Sequence, residues 1–468
     1  MAARSTALHR RTLTTGAIAL TLGLAGCGGG STPGTAAPSS SAPAPGASST
    51  APAGGGECAP YEAYGKHDGK TVNIYTGIVT PEDKPHIESY KTFEKCTGMS
   101  VEYDGDKSFE TQVLVRAKAG NPPDLAIIPQ PGLLQQLVET GSVKAAPAAV
   151  SQNVDKFWTA DWKKYGTVEG TFYAAPLGAS VKSLVWYSPA EFTEAGYPVP
   201  TTLDELKQLS DRMVAEGKKP WCAGVASGEA TGWPITDWHE DMMLRLSGPD
   251  VYDQWVEHEI PFNGPESTAA LDKVGEYLKN EAYVNGGLGE VKSIATTAFQ
   301  DGGVPITDGV CSLHRQASFY ASNWPDGTTV AEDGDVFAFY LPGTSTDTKP
   351  VLGGGEFIAA FNDKPEVQAV QAFLSSDTWA NAKAQNTPKG GWVTANKGLD
   401  VKNLVSPIDQ LAATILLDPK AVFRFDGSDQ MPAAIGSNAY WKQSTNWITG
   451  QDTATTVGNI EKAWPAKK

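Results

Sequence analysis

Residues 71–140 contain three strand–helix pairs and read TVNIYTGIVTPEDKPHIESYKTFEKCTGMSVEYDGDKSFETQVLVRAKAGNPPDLAIIPQPGLLQQLVET. Runs rich in β-branched and aromatic residues predict strands at 71–76, 101–103 and 125–128. Apolar residues at the helical period predict helices that begin near Thr80, Ser108 and Gly132. This β-α-β-α-β-α order is typical of an α/β protein with an open, mostly parallel sheet.

The first of these helices has both a start and a stop signal. Thr80 is a capping residue, Pro81 occupies the first helical position, and two acidic residues follow. Gly98 is the expected stop. Further along, Thr202 and Glu205 form the Thr-x-x-Glu pattern of a capping box, so the α/β pattern resumes in a second lobe.

The predicted sheet also indicates where a ligand would bind. In open α/β sheets, ligands bind beyond the carboxyl ends of the parallel strands. The segments at those ends are 77–80, 104–108 and 129–132. We therefore expect these three segments to border the site.

The first 26 residues have the pattern of a secretion signal. A charged segment precedes the apolar run 13–24, which is too short to span a bilayer. Leu24-Ala25-Gly26-Cys27 resembles the bacterial lipobox, which predicts a lipid-bearing Cys27; an ordinary signal peptide with an incidental cysteine is the alternative. Arg10-Arg11 leaves the choice between Sec and twin-arginine export open.

A flexible tether is predicted at 27–57. Residues 28–56 consist of Gly, Ser, Thr, Ala and Pro, which have too little apolar surface to offset the entropy of ordering. We therefore expect an extracytoplasmic body, anchored through lipid on Cys27 to the outer face of the cytoplasmic membrane.

The net charge and the cysteines limit the possible partners and cofactors. The formal net charge of −16 argues against nucleic acid as a partner. Four cysteines remain besides Cys27, and in an oxidising compartment three pairings are open to them. We favour the pairings in which each disulfide lies within one lobe, namely Cys58 with Cys96 and Cys222 with Cys311. Because no Cys-x-x-Cys spacing occurs, a zinc or redox site is not expected. We expect neither a metal nor another cofactor.

Short motifs recur along the body in a definite order. They are FEKCTG (93–98), AGNPPD (119–124), LVETGSV (137–143), YAAP (173–176), VWY (185–187), GWP (232–234), TDG (307–309), VLGGGEF (351–357) and DQMP (429–432). In this order they resemble the family 1 extracellular solute-binding proteins, typified by maltodextrin-binding protein. Within that family the sequence is most similar to the α-glucoside- and trehalose-binding branch.

The resemblance implies a two-lobe periplasmic-binding-protein-like fold with a ligand cleft between hinged lobes. Lobe 1 is expected at 58–176 plus 356–403, and lobe 2 at 177–355 plus 404–468. The chain crosses between them at 173–179 and 351–355. The glycines at 353–355 suit close backbone approach, and the Gly-Lys-Ser/Thr ending of a phosphate-binding loop does not follow them.

The resemblance also implies sugar contacts, since sugar rings favour aromatic platforms and their hydroxyls favour Asp, Glu and Arg. In lobe 1 the expected contacts are Asp106, Lys107 and Glu110, for which a helix cap with solvated charges is the alternative. Glu356, after the glycine run, and Trp392, after two glycines, add a carboxylate and a platform. An exposed strand end is the alternative for Glu356.

In lobe 2 the expected contacts begin with Trp233, Asp237 and Trp238, which lie where the family presents aromatic and acidic groups. A compact cluster before Met431-Pro432 adds Arg424, Phe425, Asp426 and Asp429, although Arg and Asp so close in sequence can also pair with each other. Ser180 stands near a position that is acidic in maltodextrin-binding protein, which disfavours maltodextrin as the ligand.

These observations favour the binding component of an ABC importer, a monomer that captures an α-glucoside-like oligosaccharide for a membrane permease without transforming it. A binding protein for a non-sugar solute such as a peptide would share the fold. A secreted glycoside hydrolase would also show aromatics and paired carboxylates. Other catalytic patterns are missing: no Gly-x-Ser-x-Gly occurs, and residues 239–243 lack the second histidine of a zinc-protease helix.

Overall fold

The computed structural model describes residues 56–465. The expected signal peptide, Cys27 and all but the end of the tether lie outside this range. No helix in the described range is both long and apolar enough to cross a membrane.

The strands, in chain order, are β1 Thr71–Thr76, β2 Ser100–Gly105, β3 Leu125–Ile128, β4 Thr167–Val168, β5 Thr171–Phe172, β6 Ala174–Val181, β7 Leu184–Tyr187, β8 Lys219–Trp221, β9 Cys311–Arg315, β10 Phe337–Tyr340, β11 Lys349–Ala360 and β12 Ala421–Phe425.

The α-helices are α1 Asp83–Thr97, α2 Phe109–Lys118, α3 Pro131–Glu139, α4 Ala148–Phe157, α5 Ala160–Tyr165, α6 Pro189–Ala195, α7 Leu203–Ala215, α8 Trp233–Ser247, α9 Pro249–Val256, α10 Pro265–Leu278, α11 Pro365–Leu374, α12 Asp377–Gln385, α13 Pro407–Leu417, α14 Gly427–Gln430, α15 Trp441–Ile448 and α16 Thr453–Glu461. Short 3₁₀ turns and one π-helical turn lie between them.

A six-stranded sheet forms the first half of the fold. Its order is β12-β11-β3-β1-β2, and β6 also pairs with β11. Strand β1 is parallel to both β2 and β3, as the strand–helix alternation predicts. All four residues of β3 are buried, as expected for a strand that lies between β11 and β1 in the interior of the sheet.

The first predicted helix begins later than expected. Thr80 Oγ1 donates a hydrogen bond to Asp83 Oδ2 at 2.7 Å, and regular helix starts only at Asp83, with Glu82 as its N-cap. Gly98 ends the helix as predicted: its φ of 79° is a left-handed conformation that favours glycine, and its N–H donates to the carbonyl of Glu94.

A four-stranded sheet forms the second half, in the order β10-β7-β9-β8. Its helix α7 starts at the predicted capping box, where Thr202 Oγ1 accepts a hydrogen bond from Glu205 N at 3.2 Å. The return bond differs in detail, since Glu205 Oε2 accepts from the backbone of Thr201 at 2.7 Å. One core cluster, which includes Trp238 and Tyr277, packs on this sheet.

Strands β6 and β11 run antiparallel, and the expected lobe boundaries at 176/177 and 355/356 fall inside them. The glycine run lies in β11 and permits a close approach. A Cβ on Gly355 would lie 2.6 Å from Trp162 and 2.8 Å from the carbonyl of Gly178. Any larger residue there would push the two strands apart.

The two disulfides join the predicted partners. Cys58 is bonded to Cys96, which fastens the segment after the tether to the end of α1. Cys222 is bonded to Cys311, which links the residue after β8 to the start of the adjacent strand β9. Each crosslink therefore lies within one half of the fold.

Candidate ligand-binding site

A cavity of about 200 Å³ lies where the carboxyl ends of β1, β2 and β3 face the start of α8. All three predicted strand-end segments contribute to its wall, through Gly77, Ile78, Val79, Lys107, Pro129 and Gln130. The crossing strands add Ala179 and Ser180 from β6, and Gly354, Gly355 and Glu356 from β11.

Aromatic rings form much of the opposite wall. Trp233, the first residue of α8, packs edge-on against Phe299 with ring centroids 5.1 Å apart, and its ring lies 5.9 Å from that of Phe319. Trp392 and Trp441 also line the cavity and are each 4 % exposed. The cavity therefore offers several flat apolar surfaces.

Lys182 forms the charged centre of the site. This buried lysine follows β6, and its Nζ lies 3.0 Å from Asp237 Oδ1 and 3.8 Å from Asp429 Oδ2, in contact also with Asp426. One ammonium is thus shared among three carboxylates.

Arg315 supports this centre from behind. Its guanidinium donates to Asp237 Oδ2 at 3.1 Å and to Asp241 Oδ2 at 2.5 Å. Asp241 also accepts from Arg245 at 2.5 Å and from Ser183 Oγ at 2.6 Å. Asp237 and Asp241 lie one turn apart on α8, so the same helix face is fixed at two successive levels.

The short helix α14 brings in the remaining acids. Asp426 is its N-cap and accepts a hydrogen bond from Asp429 N at 2.9 Å. Glu240 on α8 accepts from the backbone N–H groups of Gly427 and Ser428, at 2.8 and 3.0 Å. Helix α14 is therefore held against α8, which places Asp426 and Asp429 beside Lys182.

Burial and charge shift the acids in different directions. Burial raises the pKa of Asp237 to about 7, against the opposing effects of Lys182 and Arg315. Burial also acts on Asp426, but Lys182 and hydrogen bonds to its carboxylate hold its pKa well below the ordinary value. Burial, and then the charge of Asp426, raise the pKa of Asp429. The cluster therefore favours the ionised form of Asp426 and makes ionisation of Asp237 and Asp429 less favourable.

The lobe 1 wall carries further carboxyl groups. Glu110 at the start of α2 accepts from Gln130 Nε2 at 3.2 Å, and burial raises its pKa. Burial also raises the pKa of Glu356. The loop with Trp392 is fixed on both sides, because Ala179 N donates to the carbonyl of Val393 and Gly391 N donates to Asp409 Oδ1, each at 2.7 Å.

Four buried polar atoms of the wall have no hydrogen-bond partner among residues 56–465. Two are acceptors, Gln130 Oε1 and Glu356 Oε2, and two are donors, the indole Nε1 atoms of Trp392 and Trp441. A buried polar atom without a partner is costly, so these atoms mark positions for polar ligand groups.

The structure brings together most of the residues expected from sequence. Those that line the cavity are Lys107, Glu110, Trp233, Asp237, Glu356, Trp392, Asp426 and Asp429.

Four expected contacts lie outside the cavity wall. Asp106 accepts from Tyr75 Oη at 2.6 Å and from Ser108 N at 2.9 Å, which agrees with the local-cap alternative. Trp238 stacks on Tyr277 with centroids 5.7 Å apart, in the core behind α8. These two residues therefore differ from the sequence-based expectation.

The other two flank the acidic cluster. Arg424 Nε donates to Asp253 Oδ1 at 2.6 Å, and neither residue lines the cavity. The ring of Phe425 is fully buried, with its centroid 4.7 Å from that of Tyr165. Of the four residues predicted in this cluster, Asp426 and Asp429 line the cavity, together with Ser428 between them.

Sequence reasoning missed Lys182, Gln130, Trp441, Phe299 and Phe319. Gln130 lies in a strand-end segment that was expected to border the site, so its position was the available signal. Lys182 had only one signal, an isolated lysine directly after the predicted first crossing at 173–179. Within the described range, no group of three or more His, Cys, Asp or Glu side chains is arranged to hold a metal ion.

The two sheets, the paired crossing strands and the cavity at the strand ends define an α/β solute-binding protein. The chain belongs to the bacterial extracellular solute-binding protein family, whose model matches residues 76–387. It is 37 % identical over 418 residues to the alpha-glucosides-binding periplasmic protein AglE of Rhizobium meliloti (strain 1021), covering 86 % of this chain and 89 % of that protein.

A second relative has the same level of identity. The osmoprotective compounds-binding protein GgtB of Synechocystis sp. (strain ATCC 27184 / PCC 6803 / Kazusa) is 37 % identical over 406 residues, covering 86 % of this chain and 94 % of that protein. These relatives are binding proteins. Their names describe different ligand classes.

Solved structures show the fold. The bacterial solute receptor AcbH, described as having an exclusive preference for β-D-galactopyranose, matches with a TM-score of 0.70 at 18 % identity, over 84 % of this chain and 98 % of that chain. RafE in complex with raffinose matches with a TM-score of 0.64 at 17 % identity, over 84 % and 98 %. This likeness confirms the two-lobe periplasmic-binding-protein-like fold.

Proposed function

We propose that this protein is the extracytoplasmic binding component of an ABC importer and that it captures a neutral, α-glucoside-like oligosaccharide in the cavity described above. The observation that carries the proposal is the pairing of aromatic walls with unpartnered donors and acceptors. A sugar ring presents apolar C–H faces to rings such as Trp233. Each hydroxyl both donates and accepts, and therefore suits Glu356 Oε2 as well as Trp392 Nε1.

The charges of the site support a neutral ligand. Lys182 and Arg315 already neutralise Asp237 and Asp426 through close ion pairs. A peptide ligand needs one group that binds its ammonium end and another that binds its carboxylate end. Lys182, Asp237 and Asp426 are already paired within the protein. The cavity is also small compared with pockets of about 300–1,000 Å³ that hold drug-sized ligands, which favours a short ligand.

The relatives support the same ligand class. The name of the Rhizobium protein describes alpha-glucosides, which agrees with the α-glucoside-like branch expected from the sequence motifs. The Synechocystis relative adds osmoprotective compounds as a ligand class to test beside it.

We propose binding without chemical conversion. A glycoside hydrolase needs one carboxylic acid and one free carboxylate on either side of the scissile bond. Asp426, whose pKa is held below its ordinary value, already pairs with Lys182 and accepts a hydrogen bond from Asp429 N in helix α14. Asp426 is therefore not a free carboxylate. The protein is further proposed to be a monomer, held at the membrane by lipid on Cys27, that delivers its ligand to a membrane permease.

Thermal unfolding against a solute panel tests the ligand class. The panel contains maltose, trehalose, sucrose, glucosylated polyols, other oligosaccharides and short peptides. We expect the melting temperature to rise and saturate with an α-glucoside, because a ligand that binds only the folded state stabilises it. Saturation with a peptide and not with any sugar would contradict the proposal.

A further inference from the structure

A second, much smaller cavity of about 20 Å³ adjoins the main one. It shares Glu82, Glu356 and Trp392 with the main wall and is closed by His86 and Lys383. We call this space the annex.

The lining of the annex includes a buried lysine, Lys383. It lies on α12, is 2 % exposed, and makes no hydrogen bond or ion pair within 4 Å in the described part of the chain. Its Nζ lies 5.7 Å from the centroid of the Trp392 ring. Burying an ammonium without a hydrogen-bonded partner is strongly unfavourable, so its position calls for a partner in the annex.

The surrounding charges keep Lys383 ionised near neutral pH. Burial lowers its pKa to about 8, while Glu356, Asp409 and Glu82 oppose that change. His86 is buried, and burial lowers its pKa well below the ordinary value, so its ring is neutral. The annex therefore contains one cation and, on the same wall, carboxyl groups that balance it.

Other buried atoms of the annex also lack partners. Glu356 Oε2 is an acceptor, Trp392 Nε1 is a donor, and His86 Nδ1 has no hydrogen-bond partner within residues 56–465. Gly178 makes room for two of them, because a Cβ there would lie 2.8 Å from Trp392 Nε1 and 3.1 Å from Glu356 Oε2. These two atoms therefore lie close together, beside Gly178.

Size and polarity together restrict the occupant. A cavity of roughly 10–15 Å³ already holds one water molecule, so the annex has room for about one oxygen-sized group. That group must accept from Lys383 and Trp392 and donate to Glu356. A hydroxyl meets both requirements, whereas a carboxylate is too large, an ammonium cannot accept, and a methyl group leaves all three unpaired.

We propose that Lys383 is a specificity-determining residue that, with Glu356 and Trp392, binds a single free hydroxyl of the sugar in the annex. This inference rests on the proposed function, which it makes more specific. Because no second ring fits in the annex, the hydroxyl bound there carries no glycosidic substituent. The ligand therefore ends at this wall of the cavity.

Monodeoxy sugars test the inference. Calorimetric titration compares methyl α-D-glucopyranoside with its 2-, 3-, 4- and 6-deoxy analogues, in the wild-type protein and in Lys383→Met. In the wild type, one deoxy position should weaken binding by about 10- to 100-fold, the range expected for a hydrogen bond to a charged group. In Lys383→Met the parent sugar should weaken by a similar factor, and that same deoxy position should lose no further affinity.

One further variant serves as a control, and another tests the annex independently of Lys383. Lys402→Met makes the same chemical change at an exposed lysine and should leave every ratio unchanged. Glu356→Gln preserves shape and should reduce discrimination at the same position, which tests the annex even where Lys383→Met does not fold. If the wild type binds the sugar and both annex variants still distinguish the parent sugar from the deoxy analogue as strongly as the wild type does, this inference alone is overturned. The annex would then hold a water molecule and not a sugar hydroxyl. A wild type that binds maltose, trehalose or sucrose but not methyl α-D-glucopyranoside would overturn this inference alone. A wild type that binds none of these sugars would contradict the proposed function, and this inference with it.

Discussion

The Nζ atom of Lys182 lies 3.0 Å from Oδ1 of Asp237, which joins the end of strand β6 to helix α8 across the base of the cavity. Asp426 and Asp429 complete the group around the same ammonium. Lys182 occupies the short connection between β6 of one sheet and β7 of the other. The ion-pair centre is therefore located where the chain passes between the two halves of the fold.

Lys182→Met should strongly destabilise the protein. The substitution preserves the length of the side chain but removes the one cation that Asp237, Asp426 and Asp429 share in a buried site. We expect the free energy of unfolding at pH 7 to fall by about 3–5 kcal/mol, measured by urea denaturation. Lys207→Met, which breaks a partly exposed pair with Asp211, should cost under about 1 kcal/mol. Equal losses in the two variants would show that the buried centre is not stabilising.

Three buried carboxyl groups should lower the stability as the pH rises from about 4 to about 7, whereas the buried His86, His239 and His314, whose pKa values burial lowers, have the opposite effect. Burial raises the pKa values of Asp237, Asp409 and Glu82 to about 7. Between the unfolded and folded pKa values of these carboxyl groups the folded state binds more protons, so their contribution to the free energy of unfolding decreases with increasing pH. Urea denaturation at intervals from pH 4 to 8 measures this slope.

Asp409→Asn identifies one source of that slope. The amide cannot titrate, so the decrease in the free energy of unfolding between pH 4 and 7 should be smaller than in the wild type. Asp363→Asn, at an exposed position, serves as the control and should retain the wild-type slope. The same pH dependence in Asp409→Asn as in the wild type would contradict the assignment.

Trp233→Ala should weaken sugar binding while the protein remains folded. Trp233 is half-buried at the cavity wall, and an aromatic platform of this kind contributes strongly to ligand affinity. We expect a decrease in affinity of about 10- to 100-fold, measured by calorimetry. Unchanged affinity would remove Trp233 from the site.

Trp238→Ala should have a different effect, although the residue lies on the same helix. Trp238 packs between Trp221 and Tyr277, with centroid distances of 5.3 and 5.7 Å. Its loss should reduce the free energy of unfolding by about 3–5 kcal/mol. Weaker binding without loss of stability would place this indole in the ligand site instead.

Cys27→Ser should release the protein from the membrane. If Cys27 carries lipid, the wild-type protein should sediment with membranes and dissolve in detergent, whereas the variant should be recovered in the aqueous fraction. Membrane association that persists in Cys27→Ser would exclude lipid on this cysteine as the anchor.

Local patterns in the sequence predicted the elements around β1, β2 and β3. Strands β1 and β3 have the predicted limits, because their apolar runs end at residues that favour turns or helix starts. Helix α1 starts three residues after the predicted cap, since Thr80 and Asp83 bond to each other ahead of the first turn. Such competition between nearby polar side chains is not visible in a spacing pattern.

The site was less predictable because it depends on contacts between distant residues. Trp233 and Trp238 lie on one helix that is buried on nearly every side, so the apolar pattern does not indicate which ring faces the cavity. Lys182 is separated by 55 residues from Asp237 and by 244 from Asp426. Only the folded chain brings these groups together.

The central claim is that the cavity between the crossing strands and α8 binds a sugar and releases it unchanged. Isothermal titration of the wild type with maltose, trehalose and sucrose, followed by chromatography of the recovered ligand, tests it most directly. The account predicts saturable binding of at least one of these α-glucosides at one ligand per chain, with the sugar recovered intact. Recovery of cleaved sugar, or no binding of any α-glucoside, would contradict it.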